Sequence, residues 1–229
     1  MRLVVFDFDG LILDTEVPVY DVWQAIYAEH GHTLDFARWA ECIGTADTFD
    51  PCEHLESLLG RRVDAEALVR LHRARTDALI AAQPILPGVR ECVDEARRLG
   101  VRLGVASSSS RRWVEGHLTR LGLREHFEVV RCADDVARVK PDPALYLAVL
   151  EATGVAAHLA VALEDSPNGV RAAKRAGLAC IAVPNPLTAR LDLAEADLRL
   201  TSLADVPLAD LLAHLGARTI EATAPRARS

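Results

Sequence analysis

What this sequence lacks narrows its function early. It has no excess of basic charge: 26 Lys and Arg stand against 33 Asp and Glu, a formal net charge of −7. With no basic stripe interleaved with aromatics, nucleic acid is not an expected partner. It has no paired cysteines. Cys42, Cys52, Cys92, Cys132 and Cys180 are five in number and far apart, which argues against a zinc module and favours reduced thiols in a cytosolic protein. Long apolar runs are missing too. Asp7 interrupts the first one too soon for the apolar segment of a secretory signal or for a membrane span. The expectation is a cytoplasmic chain without a membrane partner. There is no internal repeat or low-complexity segment, and the eight histidines form no metal-spaced pair on one helix face.

What is present is an ordinary globular balance, 50% hydrophobic and 26% charged over 229 residues, enough for a core domain carrying a smaller insertion. The chain is organised around Leu3-Val4-Val5-Phe6-Asp7-Phe8-Asp9-Gly10. Its first half reads as a central strand of a parallel sheet, buried on both faces. Its second half delivers two carboxylates past the strand end, where open α/β sheets collect ligands. Burying them there is unfavourable without a cation or donors. The competing reading is a plain Asp-Gly turn.

From Glu16 to Gln83 the patterns are helical, with Pro18 in a first turn and amphipathic stretches at Phe36–Ile43, Pro51–Leu59 and Ala65–Ala82. Pro84 and Pro87-Gly88 mark the return to the core. Helices are then predicted at Val89–Leu99, Arg111–Leu121, Asp142–Thr153 and Pro167–Ala176, and strands at Val101–Ser107, Phe127–Val130, Leu159–Leu163 and Ala179–Val183. This alternation predicts an α/β fold: a Rossmann-like parallel sheet with helices on both faces and an inserted α-helical cap. The expected division is a core of residues 1–15 plus 85–216, a cap of 16–84 and a tail of 217–229, with Leu203–Leu215 as a last covering helix.

Three further polar clusters follow apolar strands. In Ala106-Ser107-Ser108-Ser109-Ser110 a hydroxyl and free helix N–H groups could hold phosphate, or a serine could merely cap the helix. Lys140, before Pro141, could neutralise a phosphate or be a surface lysine. Asp142 with Pro143 reads as a helix start. In Glu164-Asp165-Ser166-Pro167 capping explains one residue but leaves two adjacent acids, and hard oxygen ligands favour magnesium. Together these residues make a mechanism. With magnesium held by Asp7, Asp165 and the Asp9 carbonyl, and Lys140 nearby, Asp7 attacks a phosphomonoester to form an aspartyl-phosphate. Asp9 protonates the leaving alkoxide and then activates water.

These motifs resemble those of the haloacid dehalogenase-like hydrolase superfamily, nearest to the phosphatases grouped with β-phosphoglucomutase. Asp7-Phe8-Asp9-Gly10 with Asp14-Thr15 is similar to its first motif, Ala106-Ser107-Ser108 to the second, Lys140-Pro141 to the third, and Glu164-Asp165-Ser166 with Gly169 to the fourth. The resemblance extends to about residue 216. It implies Asp7 as nucleophile, Asp9 as acid and base, and Ser107, the Ser108 amide and Lys140 on phosphate. It places magnesium at Asp7, Asp9 and Asp165, with Glu164 an additional ligand through water. The implied partner is a small phosphorylated metabolite, a sugar phosphate first, met by a monomer or weak dimer. Asp9 argues against dehalogenation, because dehalogenases of the superfamily lack that aspartate. A phosphomutase is the alternative, but Val17, Val19 and Tyr20 stand where mutases carry a cap histidine, and Ile43–Phe49 lacks an arginine. A receiver-type phospho-acceptor module is the other alternative, though it needs no cap. Trp23 and Trp39 are expected in the cap core, and Trp113 between its helix and the sheet.

Overall fold

Leu3–Phe6 forms β1 because four apolar, mostly β-branched or aromatic residues suit an extended, fully buried backbone, and all four are buried. The structure, a computed structural model, describes residues 1–40, 43 and 49–223. β1 lies inside a sheet with β2 (Arg102–Ala106), β3 (Val129–Arg131), β4 (Ala160–Glu164), β5 (Ala179–Ala182) and β6 (Leu198–Arg199), in the order β3-β2-β1-β4-β5-β6. Every pairing is parallel, and Leu3 stands opposite both Arg102 and Ala160. This shared register brings the carboxyl ends of β1, β2 and β4 to one level. The sheet is thus the parallel α/β architecture that the alternation predicts, with one more strand than expected. β6 has two residues and no apolar run; its pairing with β5 defines it, and a linear pattern does not show pairing.

Between β1 and β2 come α1 (Glu16–Glu29), α2 (Phe36–Trp39), α3 (Pro51–Leu59) and α4 (Ala65–Ala82). Asp50 caps α3 by accepting from the Cys52 and Glu53 amides, and Asp64 caps α4 through the Ala67 amide. These helices bury an apolar cluster, with Trp23, Ile26, Tyr27, Trp39 and Leu55 inside it, which Leu187 of the core joins. The insertion leaves and returns at one place: Leu13 bridges Ile85, and the Leu86 amide donates to the Ile12 carbonyl at 3.0 Å. The helix expected over Phe36–Ile43 ends at Trp39; residues 41, 42 and 44–48 lie outside those described.

Helices α5 (Val89–Arg98), α6 (Arg111–Arg120), α7 (Ala144–Thr153), α8 (Pro167–Arg175) and α9 (Leu208–Thr223) cover the sheet. Val4 and Phe6 share a cluster with α5, α6 and α9, while Leu3 and Val5 share another with α7 and α8. That is strand alternation put to use, with helices on both faces. The last helix differs from the expected Leu203–Leu215. Leu203 lies in a turn closed by the Ser202 amide on Asp205, and Pro207 then sets the start of α9. At its far end α9 takes in residues 217–223 of the expected tail, a stretch containing Ala, Arg and Glu, which favour helix. Residues 224–229 lie outside the described chain. Cys52, Cys92, Cys132 and Cys180 are free and buried. No helix among the described residues is long and apolar enough to cross a membrane.

Candidate active site

Past β1 the ladder continues one step, with the Asp7 amide donating to the Leu163 carbonyl at 2.9 Å. Asp7 and Asp9 then open into a cavity of about 560 Å³, whose wall includes Lys140, Asp165, Ser108 and Ser109. Residues separated by more than a hundred positions therefore meet around one space.

Lys140 is only 4% exposed. Its Nζ donates to Asp7 Oδ1 at 2.5 Å and to Glu164 Oε1 at 2.6 Å. The Tyr146 hydroxyl also donates to Glu164 Oε1, at 2.5 Å. Burial disfavours the ammonium, but the Asp7 and Glu164 carboxylates outweigh it and hold Lys140 above its usual range. Gly169, in the first turn of α8, makes room for this arrangement: a Cβ there would overlap the Glu164 carboxylate.

Burial pushes Asp7 up to about 8; Lys140 pulls it down, while Glu164 and Asp9 push it further up. Burial likewise drives Asp165 well above the carboxylate range, and the charges of Asp7, Glu164 and Glu16 add to the effect. Asp7, Glu164 and Asp165 each offer an oxygen, all within 4.8 Å of one another. One ammonium faces three buried carboxylates. That charge imbalance and the all-oxygen donor set fit a hard divalent cation.

Asp165 is held in place by the Asn185 amide, which donates to its Oδ2 at 2.8 Å, while Asn185 Oδ1 accepts from the Leu187 and Thr188 amides. Gly10 permits the close approach. It has φ near +80°, and a Cβ would collide with the Asp165 carboxylate and the Asn185 amide.

Asp9 is gripped from four directions. Its Oδ1 accepts from Thr15 Oγ1 at 3.0 Å and Trp113 Nε1 at 2.9 Å, and its Oδ2 from Ser109 Oγ at 2.6 Å and Ser107 Oγ at 3.3 Å. Trp113 packs against the core as expected, but its indole N–H also reaches the site, which the sequence reading missed. Of the serines, Ser110 caps α6, Ser107 is fully buried, and Ser108 and Ser109 line the cavity. The Ser108 hydroxyl is buried with no hydrogen-bond partner among the described residues. Ser166 caps α8, accepting from the Gly169 amide; α7 starts one residue later than Asp142-Pro143 suggests, with Pro143 as its N-cap, and Asp142 accepts from the Ala144 amide just ahead of it. Glu164 and Asp165 are thus free of capping duty.

The seven residues expected from the motifs, Asp7, Asp9, Ser107, Ser108, Lys140, Glu164 and Asp165, lie together in the structure. Asp7, Asp9, Lys140 and Asp165 face the cavity, with Ser107 and Glu164 behind them. Trp113, Ser109, Tyr146 and Asn185 join them unannounced by the motifs. Ser109 stood in the serine run already singled out; nothing linear marks the other three as neighbours of these acids.

A family model described as haloacid dehalogenase-like hydrolase matches residues 4–183. The chain is similar to YhcW of Bacillus subtilis (strain 168), provisionally named a phosphatase, with 45% identity over 95% of this chain and 99% of that one. It is also similar to hexitol phosphatase B of Escherichia coli (strain K12), with 33% identity over 91% of this chain and 95% of the other. Among solved structures it is similar to a mutant of CbbY from Rhodobacter sphaeroides in complex with xylulose-(1,5)bisphosphate. That match has 32% identity and a TM-score of 0.68 over 90% of this chain and 96% of that one.

Proposed function

Because the chain belongs to the haloacid dehalogenase-like hydrolase family, we propose that it is a magnesium-dependent phosphatase of a small phosphorylated metabolite, a sugar or polyol phosphate, acting through an aspartyl-phosphate. The observation that carries this reading is the convergence of Asp7, Lys140 and Asp165 on one cavity wall, with Asp9 beside them.

Asp7 and Asp165, with the Asp9 backbone carbonyl, would hold the magnesium ion. When bound, it would offset the charge of the phosphate dianion and of the attacking carboxylate. Glu164 commits Oε1 to Lys140 and Tyr146, so we assign it to positioning the lysine. Lys140 supplies a fixed positive charge to the phosphoryl oxygens without reorganisation. Ser108 brings an unpaired hydroxyl and its amide to the same place. An Asp7 oxygen forms a bond to phosphorus as the ester P–O bond breaks, and Asp9 gives its proton to the departing alkoxide. Asp9, now ionised, takes a proton from water, which attacks phosphorus. Inorganic phosphate leaves, and Asp7 is restored as a carboxylate.

Hydrolysis is favoured over phosphomutation because Val19, on the cavity wall, stands in the stretch where the mutases of this superfamily carry a histidine. The helical insertion, whose α1 and α4 wall the cavity, also has no use in a receiver module. Phosphate release from p-nitrophenyl phosphate and hexose phosphates in the presence of magnesium tests the proposal. EDTA and Asp7→Asn should each abolish release; full turnover by Asp7→Asn would refute it.

A further inference from the structure

The cap side of the cavity is built from the start of α1 and one face of α4, where Val69, His72, Arg73, Thr76 and Asp77 follow helical spacing. Glu16, the first residue of α1, belongs to this wall. Its carboxylate has no hydrogen-bond donor among the described residues, and it is not one of the three clustered acids. A half-buried carboxylate on the cavity wall, left without a protein donor, is short of partners to the extent that it is withdrawn from water. A ligand that brings hydroxyl groups supplies them.

The charge on the wall says which ligand. Arg73 and Lys140 are the only lysine or arginine side chains lining the cavity among the described residues. Lys140 is held by Asp7 and Glu164 at the phosphate end. Arg73 is 82% exposed and faces Asp77 at 3.8 Å. His72 gives its Nε2 to the Val19 carbonyl and stacks on Trp23, and burial lowers its pKa, so it adds no cation. Residues 41, 42 and 44–48 contain no lysine or arginine. A second phosphate would meet two acids, Glu16 and Asp77, against one cation, Arg73, whose contact with Asp77 is long and exposed.

Resting on the phosphatase reading above, we propose that Glu16 is a specificity-determining residue: it accepts hydrogen bonds from hydroxyls of the leaving alcohol, selecting neutral polyhydroxy monophosphates and rejecting bisphosphates.

The test compares kcat/KM for a hexitol 6-phosphate, a pentulose 1,5-bisphosphate and p-nitrophenyl phosphate, which carries no aliphatic hydroxyl. Wild-type protein is expected to prefer the hexitol phosphate over both others. Glu16→Gln should lower the ratio of hexitol phosphate to p-nitrophenyl phosphate by about tenfold, through KM, and Glu16→Ala should raise the relative turnover of the bisphosphate. A merely structural residue would move all three substrates together. Circular dichroism checks folding, and Glu16→Asp, which keeps the charge but shortens its reach, is read by the same ratios should either variant fail to fold. Unchanged ratios in the folded variants, or a wild-type preference for the bisphosphate, overturn the proposal while leaving the phosphatase reading intact. No phosphate release from any of the three removes the phosphatase reading and this one with it.

Discussion

Trp113 reaches Asp9 through one hydrogen bond, from Nε1 to Oδ1, and that bond helps to set which way the carboxylate we propose as acid and base faces. Thr15 shares the same oxygen. Replacing the indole with a ring that has no donor, Trp113→Phe, should lower kcat on p-nitrophenyl phosphate by about tenfold with KM little changed, since a hydrogen bond to a charged group is worth about 1.5–3 kcal/mol. Steady-state kinetics decides it, and an unchanged kcat would mean that Thr15 and the serines orient Asp9 unaided. Lys140 is a harsher case. Lys140→Ala leaves Asp7 and Glu164 buried without their shared cation, and breaking such a pair costs about 3–5 kcal/mol. Activity should vanish and the urea midpoint should fall; a variant of native stability would show that the two acids take up protons at no cost.

At the scale of elements, the first turn of α8 carries the clearest steric constraint. A methyl group at position 169 would overlap the Glu164 carboxylate, so Gly169→Ala should destabilise by about 1–3 kcal/mol, as overpacking does. It should also displace the acid that holds Lys140. Urea unfolding and kcat should fall together; loss of neither would mean that Glu164 has room to retreat. The strands that deliver the chemistry were legible because each is an apolar run that stops abruptly at polar residues: Phe6 before Asp7, Ala106 before Ser107, Leu163 before Glu164 and Asp165. The parallel order followed from alternation with helices. β6 was not legible, because two residues make no pattern, and neither was the end of α9, where helix continues without an apolar stripe. Tyr146 and Asn185 escaped for another reason. Their roles come from what folding places beside them, Glu164 in one case and Asp165 in the other. Trp113 was read as a packing residue, correct for its ring and silent about its N–H.

Over the whole molecule, the buried acids tie stability to pH. Burial raises Asp7 to about 8 and Glu16 to about 7. Without a metal ion, the folded chain therefore holds more protons than the unfolded chain from the ordinary carboxylate range up to about pH 8. The stability these groups contribute is complete below that window and is lost as pH rises through it. Magnesium on the ionised carboxylates opposes the loss, because a ligand bound only by the folded state stabilises it. Calorimetry in EDTA should show Tm falling from pH 5 to 8, and the gain on adding magnesium should widen over the same interval. A gain independent of pH would contradict the assignment of Asp7 and Asp165 to the ion. The insertion that roofs the cavity has a separate consequence. Its two ends meet at Leu13 and Ile85, while Leu187, Leu191 and Arg190 of the core pack against its helices, and lengthening the chain across the joint adds closure entropy only slowly, about 0.6 kcal/mol per doubling. Descendants could lengthen or trim the roof, and with it the alcohol we propose it selects, while the floor of proposed catalytic residues stays as it is.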